Sequence, residues 1–180
     1  MTVVSGTNRP SSRSRMVAGE IQGIYQSLGE DCQLLDLVDL PAEVFLGSAY
    51  EKKPDAFVPF SEAILGAAGV VFVTPEYNGS FPGVLKYFID MLNFPESLEG
   101  TPVCLVGLAA GSWGALRPVE QLQQIFAYRK APIFPTRVLL PEVDRVMGEG
   151  GRISDPEIRS RLERQAAGFV EFVRLLRPAL

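Results

Sequence analysis

A chain of 180 residues, 47% apolar and 21% charged, has enough hydrophobic material to bury one core without a disulfide or metal staple. Its formal charge of -4 argues against a general affinity for nucleic acid or anionic membrane, since both rest on accumulated Lys and Arg. No run of residues reaches the length of a membrane span, and the lack of any His excludes Ser-His and Cys-His nucleophilic systems, histidine acid-base catalysis and most zinc sites.

The first predicted strand is TVVS, residues 2–5, with the β-branched pair that suits a pleated, buried position. It runs into SGTNRPSSRS, after which a helix is expected over 12–28, carrying Met16, Ile21, Ile24 and Leu28 at helical spacing. This Arg- and Ser-rich opening also has the composition of a transit peptide. The strand character of TVVS and the break at Pro10 favour a structural role instead. CQLLDL, 32–37, is the second strand, and the following VDLPAEVFLGSAYEKKPDAF, 38–57, is a long irregular piece expected at the rim. A short helix over 58–68 with Phe60, Ile64 and Leu65 leads into GVVFVT, 69–74, an apolar run of the kind covered on both faces. A helix over 82–92 then places Pro82 near its first turn and Leu85, Phe88, Ile89 and Leu92 on one stripe. PVCLVGLA, 102–109, is a second continuous apolar strand, followed by a helix over 115–129 and a fifth strand in IFPTRVLL, 133–140. The last helix, 155–176, opens on SDPE, with Ser154 or Asp155 as cap and Pro156 just inside. Cys32 and Cys104 both sit in apolar runs and read as small buried hydrophobes, which suits a reducing compartment such as the cytoplasm.

Strand and helix alternate five times without a repeat or linker, the pattern of a single α/β domain over 1–180 with parallel strands and right-handed crossovers. A five-stranded sheet in the order 2-1-3-4-5, with helices on both faces, reverses its winding between strands one and three. Ligands settle at such a reversal, beyond the carboxyl ends of the strands. The loops after strands one, three and four would meet there, and they are the three most unusual in the chain: SGTNRPSSRS, TPEYNGSFPG and LAAGSWGA.

The first offers hydroxyls on Thr7, Ser11, Ser12 and Ser14, charge on Arg9, Arg13 and Arg15, and the unpaired N–H groups of a helix start. That is an anion cradle for a terminal phosphate, or equally a capped helix with a solvated face. It matches neither GxGxxG nor GxxxxGK[ST], which disfavours dinucleotides and Walker-type triphosphates. The second loop brings an acceptor, a flat ring and an amide in Glu76, Tyr77 and Asn78, with conformational freedom at Gly79. Such a loop can hold a planar heterocycle, or it can serve as a turn and helix cap with Tyr77 on a neighbouring chain. The third, with two glycines around Trp113, lets main-chain donors approach a ligand closely. Trp113 would cover a ring or anchor a subunit contact. With no histidine and no spaced metal cluster, the remaining chemistry is that of a bound cofactor positioned by the protein.

SGTNRPSSRS after the first strand, PEYNGSFPGVLKYFID after the third and GLAAGSWGA after the fourth resemble the NADPH-dependent FMN reductase family, flavodoxin-like proteins that include quinone, azo-dye and chromate reductases. The resemblance covers nearly the whole chain and implies a flavodoxin-like three-layer α/β/α fold. By position it assigns the FMN phosphate to Thr7, Arg9, Ser12 and Ser14. The ribityl chain and isoalloxazine fall to Pro75, Glu76, Tyr77, Asn78 and Gly79, and the far ring edge to Ala110, Gly111 and Gly114. It further implies hydride transfer from NADPH or NADH through FMN to a small acceptor such as a quinone, azo compound, metal oxyanion or free flavin, with no side-chain catalyst. A homodimer or homotetramer with Tyr77, Phe81 and Trp113 as contacts is implied as well. A flavodoxin-like electron carrier and a flavin-free scaffold of the same fold are the alternatives. Three positions depart from the family pattern: Ser14 stands where Asn is common, Tyr87 replaces an Asn, and Ala115 replaces the second glycine of a GxxGG pattern.

Overall fold

Valine-rich segments that alternate their side chains between two faces build the centre of the molecule, which the computed structural model describes over residues 1–176. Five parallel strands, β1 (Thr2–Ser5), β2 (Gln33–Asp36), β3 (Val70–Pro75), β4 (Val103–Leu108) and β5 (Val138–Leu140), lie in the order β2-β1-β3-β4-β5. Every residue of β1, β3 and β4 is buried, as expected for strands covered on both sides.

The pleat sends Val3, Val71, Val73, Cys104 and Val106 to one face, where α1 (Arg13–Ser27) and α6 (Pro156–Leu176) contribute Val17, Ile21, Leu162 and Phe169. Val4, Val70, Phe72, Val103 and Leu105 point to the other. There they meet Ile64 of α2 (Val58–Leu65), Phe88 of α3 (Gly83–Met91) and Phe126 of α4 (Leu116–Tyr128). A short further helix, α5 (Val143–Val146), follows β5. Cys32 and Cys104 are free and buried, and burial pushes the Cys32 thiol up to about 11 and the Cys104 thiol higher still.

The fifth strand is shorter than the 133–140 expected from the sequence. Ile133 pairs with Val103 and Val138 with Val106, so five residues on one side span three on the other. Pro135 has no N–H for a ladder, and the Thr136 carbonyl accepts from the buried Gln165 side chain at 2.8 Å, which also donates to Leu105 O at 3.1 Å. A helix side chain thus supplies part of what the strand ladder would have supplied.

Segment 38–57 is four short 3-10 turns, at Leu37–Asp39, Ala42–Phe45, Gly47–Tyr50 and Asp55–Phe57. Tyr87 fastens it to α3: its hydroxyl donates to Val44 O at 2.8 Å and its ring lies 4.9 Å from Phe45 and 6.1 Å from Tyr50, centroid to centroid. That contact gives Tyr87, one of the three departures, a structural use.

Candidate functional site

The winding reverses between β1 and β3, and the chain leaves β1 at Ser5 while β3 runs on to Pro75. Gly6 takes β1 past its neighbour at a point where a Cβ would lie 2.8 Å from Val73 O, so no larger residue fits. Beyond it the loop climbs to Ser12, which caps α1 by accepting from Arg15 N–H at 3.1 Å. Among the described residues, no protein acceptor pairs with the N–H groups of Ser12, Arg13 and Ser14, the start of the helix.

The loop after β3 is a tight hairpin. Asn78 and Gly79 take φ of 52° and 75°, and Tyr77 and Ser80 exchange backbone hydrogen bonds of 2.8 and 3.0 Å around them. Asn-Gly at the centre of a primed turn is the sequence signature of this geometry. It fixes Glu76 and Tyr77 against the loop after β1, where the Tyr77 and Thr7 hydroxyls lie 3.0 Å apart. Arg117 of α4 sits 3.9 Å from Glu76.

The third loop is stitched to the exit from β5: Ala109 N–H donates to Leu140 O, Glu142 N–H to Gly111 O and Val143 N–H to Ala109 O. Gly114, at φ 58°, packs so closely that a Cβ would lie 2.9 Å from Pro141 N. The next residue, Ala115, is also left-handed.

These loops wall one cavity of about 620 Å³, within the usual range for small-molecule sites. At one end stand Arg9, Ser11, Ser12, Arg13 and Ser14; Pro75, Glu76, Tyr77, Leu108, Ala109 and Ala110 form the rest, with Val143 and Asp144 opposite. Of the residues singled out in the sequence, Arg9, Ser12, Ser14, Pro75, Glu76, Tyr77 and Ala110 line it together. Thr7 is fully buried behind Tyr77, Asn78 and Gly79 form the hairpin tip, and Gly111 and Gly114 hold the third loop in place rather than facing the cavity. Val143 and Asp144 were not anticipated; their only signal was a position just past the carboxyl end of the fifth strand. Arg13 Nε donates to Asp144 Oδ1 at 2.9 Å across the wall.

A hydroxyl- and arginine-rich end at a helix start, joined to a slot between two backbone loops, suits a phosphorylated planar ligand of mononucleotide size. The sheet order and the place of this crevice define a flavodoxin-like α/β protein. Its likeness to the FerB flavoenzyme NAD(P)H:(acceptor) oxidoreductase of Paracoccus denitrificans has a TM-score of 0.81 at 21% identity, covering 97% of this chain and 96% of that one.

The chain belongs to the NADPH-dependent FMN reductase family, whose profile matches residues 1–144. It is 33% identical over 176 residues to a quinone reductase of Escherichia coli (strain K12), covering 94% of this chain and 92% of that one. It is 29% identical over 178 residues to an NAD(P)H-dependent FMN reductase of Pseudomonas aeruginosa, covering 97% and 95%. As a member of the family it is an oxidoreductase whose cofactors are FMN and NAD(P)H.

Proposed function

We propose that the chain is a single FMN-binding domain over 1–180 that passes reducing equivalents from NAD(P)H to a small quinone. The carrying observation is that loops far apart in sequence close on one cavity with an end lined by serines and arginines at a helix start. FMN, once bound, supplies the redox chemistry between nicotinamide and acceptor. The protein's own residues bind and orient it.

Ser12, Ser14 and Arg9 would hold the phosphate with the first amides of α1, and Thr7 supports them by bracing Tyr77 and accepting from Arg9 N–H at 3.3 Å. Pro75, Glu76 and Tyr77 would flank the ring, held in place by the Asn78-Gly79 turn. Ala110 would meet its far edge, on a loop set by Gly111 and Gly114. Main-chain donors in these loops suit the negative charge that a reduced ring carries. Ser14 retains a hydroxyl donor where Asn is common, so the phosphate end keeps its donor set.

Quinone is favoured among acceptors by the relative in Escherichia coli; azo compounds, metal oxyanions and free flavin belong to the wider family reading. The chain would work in the cytoplasm as a homodimer or homotetramer. Supporting this, Trp113 and Tyr128 are 67% and 77% exposed, and a groove of about 740 Å³ between α3 and α4 begins at Ser80 and Phe81, beside the site. Among the described residues no helix is long and apolar enough to cross a membrane.

The test is an absorption spectrum of the purified chain supplied with FMN, before and after anaerobic NADPH, then with a small quinone. Bound flavin should bleach and the quinone should restore it. A flavin that binds but resists both NADPH and NADH would overturn the reading.

A further inference from the structure

Facing the serine- and arginine-lined end of the cavity is an acid that the three loops do not supply. Asp144 comes from α5, which the loop after β4 stitches against the site through Val143 N–H and Ala109 O at 3.0 Å. Its Oδ1 receives both Nε and a terminal nitrogen of Arg13, each at 2.9 Å. Arg13 is the first residue of α1, beside the Ser12 cap and the unpaired amides. Thus one of the two arginines in the cavity wall is already taken by a carboxylate in the same wall. With Glu76 and Asp144 set against Arg9 and Arg13, the lining has no net charge, although its donors suit a dianion.

We propose that Asp144 competes with the FMN phosphate for Arg13 and so keeps FMN exchangeable rather than permanently held. This rests on the flavin reading of the cavity. The phosphate can recruit Arg13 only by displacing or sharing the Asp144 contact, and it approaches a carboxylate as it does so. Asp144 is therefore a positioning residue for Arg13 and acts on affinity for the phosphorylated end alone. Riboflavin has the same ring and ribityl chain without the phosphate, so it is indifferent to the competition.

The experiment compares wild type with Asp144→Asn by titrating FMN and riboflavin separately and following flavin fluorescence. Asn keeps the shape of the side chain and removes its charge. FMN should bind about five-fold tighter to the variant, as for an exposed ion pair near a charged ligand, with a steeper salt dependence, while the riboflavin affinity stays where it was. In an Arg13→Ala background the gain from Asp144→Asn should shrink towards nothing. An unchanged or weaker FMN affinity in Asp144→Asn, with thermal unfolding at the wild-type temperature, would overturn the competition. So would an equal change for riboflavin, or a full gain without Arg13. A wild-type chain that binds neither flavin would instead overturn the flavin reading itself, and the competition with it.

Discussion

The hydroxyls of Thr7 and Tyr77 lie 3.0 Å apart, joining the loop after β1 to the hairpin after β3 across 70 positions of sequence. Thr7 is fully buried, so water cannot replace Tyr77 as its partner, and Arg9 N–H donates to the same Thr7 oxygen at 3.3 Å. One side chain therefore sets the distance between the serine- and arginine-lined end of the cavity and its Glu76–Tyr77 wall.

Tyr77→Phe keeps the ring and removes this tie. Stability should fall by about 1 kcal/mol, the usual worth of a neutral hydrogen bond, and FMN should bind more weakly as the two loops separate. Urea unfolding and an FMN titration measure the two effects. Thr7→Val should cost more, because it also takes the acceptor from Arg9 N–H, and the double variant should be no worse than Thr7→Val alone. Fully additive losses would show that the two hydroxyls do not act together.

Ala115 sits at φ 67° and ψ 35°, fully buried, immediately before α4. A left-handed L-residue costs roughly 1–2 kcal/mol, and glycine avoids that cost while losing some unfolded-state advantage. Ala115→Gly should thus raise stability by about 0.5–1 kcal/mol, and Ala115→Val should lower it. The midpoint of denaturant unfolding reads both. If glycine at 115 is destabilising, backbone strain is not what sets this position.

The alternation of strand and helix, and the three odd loops at one end of the sheet, are visible in the chain because buried parallel strands leave continuous apolar runs such as GVVFVT. Asn78-Gly79 was just as legible as a turn. Asp144 was not, since its place depends on backbone bonds from Ala109 and Gly111 to a segment more than thirty residues away. The break before β5 was signalled in the chain by Pro135, Thr136 and Arg137, but not the distant partner, Gln165 of α6, that takes the Thr136 carbonyl. Local pattern fixes elements; partners distant in sequence decide where they stop.

Arg129 is buried with no carboxylate within ion-pair distance among the described residues. It donates to Ile89 O at 3.2 Å and Asn93 O at 2.8 Å, at the end of α3, under the Phe94 ring 5.0 Å away. Burial lowers its pKa. Its work is to cap the exit from α3 by giving the Ile89 and Asn93 carbonyls a second donor, beside the Leu92 and Ser97 N–H groups at 3.4 and 3.2 Å. Arg129→Ala should therefore cost about 2–4 kcal/mol, from two charge-assisted bonds and lost packing. Arg129→Lys should recover only part, because an ammonium cannot span both carbonyls as the planar fork does. Denaturant unfolding separates these outcomes, and an Arg129→Ala variant as stable as wild type would remove the capping role.

Burial of the two thiols makes stability fall on the alkaline side. In the folded chain Cys32 ionises only near pH 11 and Cys104 higher still, whereas an unfolded thiol ionises near ~8.5. Between those values the unfolded state has released protons that the folded state retains, so the unfolding free energy declines as pH rises. The slope approaches about 1.4 kcal/mol per pH unit for each fully ionising thiol. Below about pH 7 the thiols contribute almost no slope, because the unfolded chain also keeps them protonated. Above pH 10 Tyr25 adds to the decline, because its burial raises the phenol in the same direction. Urea unfolding of the reduced protein from pH 7 to pH 11 should show this loss, and Cys32→Ala and Cys104→Ala should each flatten it relative to wild type. Curves that run parallel for wild type and both variants would mean that the thiols titrate alike in the folded and unfolded chain.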